Sequence, residues 1–436
     1  MAYIPGTEKG EILNGTREDD VIEGAGGDDE LYGDAGIDHL TGGEGADHLD
    51  GGADFDAASY DDSPVGVAVD LSSGKGHFGT AEGDTLVSIE RVDGSAHADL
   101  LIGGGQADTL YGSDGNDTLK GMGGTDFLIG DDGIDTASYD ESPQGVQVVL
   151  GSVAHFGDAE GDQLYEIENL SGSDHRDILG GDRGANILWG MSGNDHLAGS
   201  GGDDTLHGGW GDDDLWGDEG NDTLWGENGN DTFVGGLGVD TMMGGPGDDT
   251  YFVGWQGDDV VIESGGQGVD VVNVYASWTL TEGADVETLQ AWYEDGTDPL
   301  DLTGNSSGNT VRGNAGSNVI NGGGGNDELI GLGGTDGFRF DTALDPTFNV
   351  DLLPDFDVED VIQLDDAVFG ALATGVLAAE RFVIGTAAQD ADDNIIYDDV
   401  TGNLLYDSDG AGGAAAIQFA QANPGLGISN QDFIVV

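Results

Sequence analysis

A nine-residue repeat over 190–252 constrains the fold more than any other feature of the chain. Its seven consecutive units share glycine at positions one and four, aspartate at position six and an apolar residue at position eight. The units are GMSGNDHLA, GSGGDDTLH, GGWGDDDLW, GDEGNDTLW, GENGNDTFV, GGLGVDTMM and GGPGDDTYF. Because nine residues suffice for a six-residue turn and a three-residue strand, the pattern predicts a solenoid and not an ordinary globule.

The eighth position is the one apolar position that recurs in every unit, so we expect its side chains to face inward. Two units would then form one coil of 18 residues, with turns on opposite edges, and stacked coils would bury a narrow continuous core. The inward residues of the main block are Leu197, Leu206, Leu215, Leu224, Phe233, Met242 and Tyr251. The predicted fold class is all-β, a parallel β-roll or β-helix of nonapeptide repeats.

The turns combine glycine and aspartate in a way that favours calcium. Sharp turns need glycine for positive φ and for close approach of neighbouring turns. Such turns direct carbonyl oxygens to one side, where the aspartate joins them, and Ca²⁺ takes six to eight hard oxygen ligands. The turn glycines expected to contribute are Gly190, Gly193, Gly199, Gly202, Gly208, Gly211, Gly217, Gly220, Gly226 and Gly229.

Aspartates at position six recur far beyond the main block, and all are candidate calcium ligands. They are Asp20, Asp29, Asp38, Asp47, Asp56, Asp99, Asp108, Asp117, Asp126, Asp135, Asp177, Asp195, Asp204, Asp213, Asp222, Asp231, Asp240, Asp249, Asp327 and Asp336. Turns on one edge are 18 residues apart, so each ion should lie between aspartates at that spacing. The pairs are 20–38, 29–47, 38–56, 99–117, 108–126, 117–135, 177–195, 195–213, 204–222, 213–231, 222–240 and 231–249. About a dozen Ca²⁺ ions are therefore expected.

Charge and composition exclude several classes of protein. The 87 acidic residues outnumber the 10 basic ones, and the net charge of −77 disfavours nucleic acid and anionic membranes as partners. The absence of cysteine excludes disulfides and thiolate metal sites. No apolar run reaches the roughly 18 residues of a membrane-spanning helix. Without calcium, stacked aspartates would repel and the glycines would lose much entropy on ordering, so we expect calcium to drive folding.

Interruptions of the repeat divide the chain into eight predicted segments. Two similar inserts, beginning YDDSP and YDESP, alternate apolar and polar residues and predict short strands joined by hairpin turns. The C-terminal part is expected to be a small α+β cap, with a short helix in DVEDVIQLDDAVFGAL and a hairpin turning at Thr401-Gly402-Asn403. The segments are a first repeat block 1–60, insert 61–93, second block 94–139, insert 140–171, main block 172–253, β-rich spacer 254–303, degenerate block 304–340 and C-terminal cap 341–436.

The repeats resemble those of RTX proteins, which Gram-negative bacteria export through type I secretion. The final hundred residues, with YDSDG at 406–410 and the terminal DFIVV, are similar to the C-terminal region of serralysin-like members. The resemblance implies calcium ligation by turn carbonyls and sixth-position aspartates, export through an uncleaved C-terminal signal and folding outside the cell. It does not carry over to Asn186, Asn309 and Asn318, which replace the aspartate. The N-terminus, MAYIPGTEKGEIL, shows no cleaved signal, and no room for a separate catalytic domain is expected before the repeats.

Catalytic motifs of RTX enzymes were not found in the sequence. No H-E-x-x-H occurs, and Gly304-Asn305-Ser306-Ser307-Gly308 spells G-x-S-x-G only at the start of a nonapeptide, without the strand–elbow–helix context. His77 and His155, near Asp84 and Asp162 in the two inserts, fit packing or turn roles better than a metal or acid–base site. The hairpin turn at 406–410 lacks the bidentate glutamate of an EF-hand loop.

The sequence therefore predicts a secreted, calcium-binding, non-enzymatic protein with a structural or adhesive role at a cell surface or in a matrix. Two alternatives stay open. One is an RTX enzyme or toxin-related factor with an unrecognised site. The other is a module that binds cell-surface or matrix glycans through a strip of exposed aromatic side chains, namely Trp189, Trp210, Trp216 and Trp225.

Overall fold

In the computed structural model the chain is all-β and forms two compact units, 1–228 and 229–436. The structure describes residues 1–255, 259–265 and 267–436, and the four remaining residues fall within the predicted spacer 254–303. Helical structure in the described residues is limited to 3₁₀ turns at Gly79–Ala81, Gly157–Ala159, Ala379–Arg381 and Asn430–Asp432. No helix among the described residues is long and apolar enough to cross a membrane.

Strands of three to six residues build the first unit, and consecutive repeats alternate between opposing sheets. The first sheet contains Tyr3–Pro5, Val21–Glu23, His39–Thr41, Ala57–Ser59, Arg91–Asp93, Thr109–Tyr111, Phe127–Ile129 and Gln163–Tyr165. The second contains Ile12–Asn14, Glu30–Tyr32, His48–Asp50, Thr85–Val87, Lys75–His77, Ala68–Asp70, Leu100–Ile102, Thr118–Lys120, Thr136–Ser138, Asn169–Ser171, Ile187–Ser192, Thr205–Trp210 and Thr223–Asn228. A third contains Gln147–Val149, Ile178–Gly180, His196–Ala198 and Asp214–Glu219.

Parallel pairing at a spacing of 18 confirms the predicted coil. Thr109 lies opposite Phe127 in the first sheet, and Ile187 lies opposite Thr205 in the second. The eighth-position side chains form the core: Leu197, Leu206, Leu215, Leu224, Phe233, Met242 and Tyr251 are all 0% exposed. Burial of one apolar side chain per nonapeptide contributes roughly 1.5–3 kcal/mol, so stability depends on many stacked coils.

The two inserts form strands within the sheets, as predicted, but on opposite faces of the first unit. In the first insert, antiparallel strands Ala68–Asp70, Lys75–His77 and Thr85–Val87 lie between two strands of the repeat blocks in the second sheet. In the second insert, Gln163–Tyr165 stacks on a first-sheet strand, and Gln147–Val149 stacks on a third-sheet strand. Isolated bridges from Val153 and His155 join these two strands. The inserts therefore extend the sheets and do not break the roll.

The second unit continues the parallel stacking and ends in a partly antiparallel cap. One sheet contains Thr232–Leu237, Thr250–Val253, Val271–Val274, Thr288–Ala291, Thr310–Arg312, Glu328–Ile330, Asp351–Leu353, Ile417–Ala422, Asn403–Tyr406, Ile395–Asp398 and Phe382–Ile384. The opposing sheet contains Trp278–Thr279, Asp301–Thr303, Val319–Asn321, Gly337–Phe340, Val361–Leu364, Phe433–Val435 and Gly375–Val376. Thr241–Met243 and Val260–Ile262 form a further parallel pair.

The cap confirms one prediction from the sequence and contradicts another. The hairpin is confirmed, since Ile395–Asp398 pairs antiparallel with Asn403–Tyr406 and Gly402 adopts a φ of 83° in the turn. The expected short helix is wrong, because Val361–Leu364 is a strand. Ile362 and Leu364 are buried while Val361 and Gln363 are half-buried, and this alternation suits a sheet that covers one face.

Candidate metal centre

A ladder of aspartate carboxylates runs through the turns. Within the repeat blocks, the backbone N–H of a sixth-position aspartate typically donates a hydrogen bond to Oδ1 of the aspartate 18 residues later. Ten of the twelve predicted pairs make this bond within one unit, at 2.7 or 2.8 Å. The coil therefore holds the carboxylates in register. Where Oδ2 of an aspartate has no hydrogen-bond partner, that oxygen is available to another ligand.

Sixteen turns share one backbone conformation, and we name them open turns. Their second residue has a positive φ between 63° and 111°. These second residues are Ala25, Asp34, Gly43, Gly52, Ser113, Met122, Asp131, Met191, Ser200, Gly209, Asp218, Glu227, Gly236, Gly245, Gly323 and Leu332. The sixth residues of the same turns are Asp29, Asp38, Asp47, Asp56, Asp117, Asp126, Asp135, Asp195, Asp204, Asp213, Asp222, Asp231, Asp240, Asp249, Asp327 and Asp336.

Oδ2 of most open-turn aspartates is buried without a hydrogen-bond partner among the described residues. This applies to Asp29, Asp38, Asp47, Asp56, Asp117, Asp126, Asp135, Asp195, Asp204, Asp249 and Asp327. The first glycine of the turn keeps the space beside this oxygen free: a Cβ at Gly24 would lie 2.6 Å from Asp29 Oδ2, and one at Gly121 would lie 2.6 Å from Asp126 Oδ2. A buried carboxylate oxygen without a donor is costly, and a row of them fits a hard cation.

The fourth glycine is required because the turns approach each other closely. Gly193 has a φ of 147°, and a Cβ there would lie 2.7 Å from the His175 carbonyl oxygen. Gly202 has a φ of 108°, and its Cβ would lie 2.5 Å from the Gly184 carbonyl oxygen. Both positions combine a backbone conformation that favours glycine with direct contact to the turn one coil earlier. Fifteen of the sixteen open turns have glycine at position four, with Asp54 the exception.

Seven other turns are closed onto their own sixth residue. In these turns the N–H of the second residue donates to a side-chain oxygen of the sixth, as from Ser95 to Asp99 Oδ2 at 2.5 Å and from Gly104 to Asp108 Oδ2 at 2.5 Å. The sixth residues of the closed turns are Glu11, Asp20, Asp99, Asp108, Asp177, Asn186 and Asn309. A hydrogen-bond donor thus already occupies the oxygen that has no partner in the eleven open turns named above.

Sequence differences at positions four and six explain which turns close. Six of the seven closed turns carry a side chain at position four, namely Lys9, Glu18, His97, Gln106, His175 and Ser307. The seventh has Gly184 at position four but Asn186 at position six, whose Nδ2 donates to the Glu168 carbonyl at 2.7 Å. An amide offers one acceptor oxygen where a carboxylate offers two. The predicted ligands Asp20, Asp99, Asp108 and Asp177 therefore lie in a different environment from the other sixteen.

Burial raises the pKa of the open-turn carboxyls. Desolvation is the largest cause at Asp117, Asp126 and Asp204, each with a pKa of about 7, and at Asp195, with a pKa of about 8. Neighbouring ladder carboxylates raise the pKa further, and the single backbone hydrogen bond opposes the rise. Closely stacked carboxyls remain buried only when their negative charge is neutralised, either by protonation or by a bound cation.

The ladder also includes acids that the nonapeptide pattern did not identify. Asp47 donates its N–H to Asp84 Oδ1 at 2.7 Å, and Asp126 donates to Asp162 Oδ1 at 2.8 Å. Further members lie after the main block and in the cap: Asp270, Glu287, Asp351 and Asp360, with Glu90 and Glu168 at the ends of the inserts. Asp84 follows Asp47 by 37 residues and Asp162 follows Asp126 by 36 residues. Each spacing is about two coils, and it is the signal in the sequence that could have identified these two ladder members.

Other sequence candidates lie apart from the ladder. His77 and His155 are exposed on the inserts, whereas the neighbouring Asp84 and Asp162 are buried. The serine-containing motif at 304–308 forms a closed turn, in which Asn305 N–H donates to Asn309 Oδ1 at 2.9 Å. Ser306 Oγ hydrogen-bonds Glu282.

The four tryptophans do not form one strip. Trp189 and Trp225 stack on opposite sides of His207 at centroid distances of 6.3 and 6.2 Å in the second sheet. Trp216 lies in the third sheet, edge-on to His196. The predicted continuous aromatic surface is therefore divided between two sheets.

Fold and site together define a calcium-binding β-roll. The model of the RTX calcium-binding nonapeptide repeat matches at 5–40, 27–57, 91–110, 102–137, 189–224, 216–251, 225–261 and 303–338. The chain therefore contains RTX nonapeptide repeats, and such repeats bind Ca²⁺. No curated protein matches the chain. The family matches coincide with all four repeat blocks recognised in the sequence.

Proposed function

We propose that this chain is a secreted, non-enzymatic RTX protein that folds into its roll on meeting extracellular calcium and acts as a structural or adhesive element. The observation that carries the proposal is the row of buried aspartate oxygens without hydrogen-bond partners in the open turns. Calcium at those positions would replace missing donors, offset part of the net charge of −77 and link consecutive coils.

The open turns also refine the expected number of ions. Of the ten aspartate pairs that lie within one compact unit, six join two open turns: 29–47, 38–56, 117–135, 195–213, 204–222 and 231–249. The other four contain a closed turn, in which the second aspartate oxygen already accepts an N–H. We propose that these six fully open pairs provide the main calcium sites within the units, below the ten that spacing alone suggests there.

Secretion and location belong to the same proposal. Folding that needs calcium suits a chain exported unfolded from a cytosol with sub-micromolar calcium into surroundings with millimolar calcium. The C-terminal segment that resembles serralysin-like proteins would interact with the type I secretion machinery. Its YDSDG sequence extends from the cap strand Asn403–Tyr406, and the terminal DFIVV includes the strand Phe433–Val435.

Far-UV circular dichroism of the full chain tests calcium-dependent folding. The expected result is a β spectrum in millimolar calcium and a largely disordered spectrum after calcium is removed with EGTA, restored when calcium is added back. A magnesium titration is the matched control, because Mg²⁺ prefers smaller octahedral sites and retains its waters. An unchanged β spectrum in EGTA would contradict the proposal.

Enzymatic activity is the principal alternative, and a screen addresses it. Pure protein would be assayed in calcium for protease, esterase and polysaccharide lyase activity. We expect no turnover, since the serine motif forms a closed turn and both insert histidines are exposed. Reproducible turnover that follows the protein through purification would establish the enzyme alternative.

Glycan binding is a second alternative that one surface feature supports. A cavity of about 280 Å³ beside Trp189, His207 and Trp210 is open to solvent, and Trp210 is 66% exposed. Trp189 and Trp225 each stack on His207, which covers one face of their rings. Trp210 is therefore the better surface on which a sugar ring could stack. A glycan array with wild type, Trp210→Ala and Trp216→Ala tests this alternative. Binding that only Trp210→Ala removes would support it.

A further inference from the structure

Three acidic side chains converge just after the main repeat block, within the second unit. Asp249, Glu263 and Asp270 each place a carboxylate oxygen within 4.8 Å of the others. Their residues are 0%, 5% and 2% exposed, so the cluster is not a solvated acidic surface. Asp249 belongs to the repeat, but Glu263 and Asp270 lie in the spacer, where the nonapeptide pattern places no ligand.

The hydrogen bonds of the cluster leave two buried oxygens free. Asp249 Oδ1 accepts the Asp231 N–H at 2.7 Å, and Asp270 Oδ1 accepts the Asp249 N–H at 2.8 Å. Glu263 Oε1 contacts the Tyr251 hydroxyl. Asp249 Oδ2 and Glu263 Oε2 are buried with no hydrogen-bond partner among the described residues.

Gly244 keeps open a space beside one of these free oxygens, Asp249 Oδ2. A Cβ at Gly244 would overlap Asp249 Oδ2, the Tyr251 hydroxyl and Glu263 Oε1 at once. Three oxygen atoms from separate positions in the chain therefore point at one small volume. Tyr251 reaches it from the core, since it occupies the eighth position of the last repeat unit and its ring stacks on Phe233 at 4.9 Å.

The cluster has no basic side chain to balance its charge. None of the ion pairs between described residues involves Asp249, Glu263 or Asp270. Buried carboxylates are normally paired with a cation or bound to a metal, because isolated burial of the charged form is costly. Carboxylate and hydroxyl oxygens without nitrogen or sulfur favour a hard divalent cation over zinc.

We propose that Asp249, Glu263, Asp270 and the Tyr251 hydroxyl form a further calcium site, which shares Asp249 with the last repeat turn and adds ligands that the nonapeptide pattern does not supply. It lies where the repeat pattern gives way to the spacer, and it would tie Glu263 and Asp270 to the last repeat turn. The inference rests on the calcium-dependent folding proposed above, because the site forms only in the folded roll.

Native mass spectrometry of the folded chain in calcium tests the site by counting bound ions. Glu263→Gln keeps the size of the side chain and removes its charge, and we expect it to bind one ion fewer than wild type. Glu359→Gln, at an exposed glutamate in the same unit, is the matched control and should keep the wild-type count. An unchanged count in Glu263→Gln would overturn the further site.

Tyr251→Phe provides a second variant that preserves core packing. It removes only the hydroxyl, and we expect retention of one ion to weaken about tenfold while the other ions remain. The assignment would be contradicted if retention weakened equally for all ions, or if it did not change for any ion. If wild type binds no calcium at all, the proposed function fails. If wild type binds calcium and neither variant changes the count or retention, only the further site fails.

Discussion

Open and closed turns have the same nine-residue length and lie on the same roll, yet they leave different chemistry at the sixth residue. In the open turn ending at Asp204, the second residue has a φ of 76° and Asp204 Oδ2 is buried without a partner among the described residues. In the closed turn ending at Asp108, Oδ2 accepts the Gly104 N–H at 2.5 Å. The comparison shows that the roll needs only the coil register, whereas a metal site needs a particular turn.

Position four makes the difference in most cases. Glycine there permits a positive φ and close approach to the preceding coil, and among the open turns only Asp54 meets the same demand with a side chain. Closed turns satisfy their aspartate internally and suit the margins of the array, at its start, beside the inserts and in the degenerate block. We therefore expect calcium to occupy the turns that match the repeat pattern well and not the turns that depart from it.

The largest expected effect concerns pH in the absence of calcium, because it involves many open-turn carboxyls together. Burial raises the pKa of Asp117, Asp126 and Asp249 to about 7, whereas the unfolded value is near 3.8. The folded state therefore binds more protons between these values, and its stability is greatest below pH 4 and is lost as pH rises toward 7. Calcium-free protein should regain β structure on acidification, as followed by circular dichroism after exhaustive dialysis. Loss of structure on acidification from pH 7 to 4 would contradict this.

Removal of one open-turn carboxylate should cost more than removal of a closed-turn one. Asp204→Asn eliminates the unpartnered oxygen, and losing an ion bound at a hundredfold excess over its Kd lowers stability by about 2.7 kcal/mol. Asp108→Asn is the matched control and should cost about 1 kcal/mol or less, because its amide oxygen can still accept the Gly104 N–H. Urea denaturation in millimolar calcium measures both. Equal losses would remove the distinction between the turns.

A closed turn should become open when position four is restored to glycine. Gln106→Gly converts the unit at 103–111 to GGGGADTLY, which has every feature of an open turn. We expect one additional calcium ion by native mass spectrometry and a rise in unfolding temperature of a few degrees in calcium. Gly124→Gln makes the reverse change in the following turn of the same edge and should remove an ion. An unchanged count in both variants would show that position four does not control binding.

The smallest expected effect is at position two. Leu332 has a φ of 72°, and a non-glycine residue in this conformation costs roughly 1–2 kcal/mol. Leu332→Gly should therefore stabilise the calcium-bound chain by up to about 1 kcal/mol, because the conformational entropy that glycine loses on folding offsets part of the relieved strain. Thr16→Gly, in a closed turn, should destabilise, because Thr16 Oγ1 donates to Asp20 Oδ2 at 2.8 Å. Thermal unfolding of the two variants in calcium gives the comparison.

Much of the architecture followed from the nonapeptide, because a strict period leaves few choices. The 18-residue coil, the inward eighth residue and the insert strands could all be predicted from spacing and alternation. The spacer looked like a break because its nonapeptide register is lost, yet Asp270 and Glu287 continue the ladder at spacings of 21 and 17 residues. Such variable spacing preserves the coil while hiding it from a search at fixed period.

The metal site was harder to predict in detail than the fold. Position six identifies the carboxylates, but whether Oδ2 accepts an N–H depends on the φ of position two, and Asp99 and Asp117 look alike at position six alone. Lys9 and Glu18 replace the fourth glycine visibly in the sequence, but Asp20 was still expected to bind calcium, and only the structure shows that both turns are closed. Glu263 was missed because nothing in a spacing pattern connects it to Tyr251 and Asp249.

Anomalous diffraction from crystals of the full chain grown in calcium would test the central claim most directly, because it locates each ion beside its carboxylate. The account predicts strong calcium peaks next to Oδ2 of open-turn aspartates such as Asp29, Asp117 and Asp204. It predicts no peak next to the closed-turn residues Asp99, Asp108 and Asp177. Peaks of equal height beside both sets would contradict the assignment of calcium to the open turns.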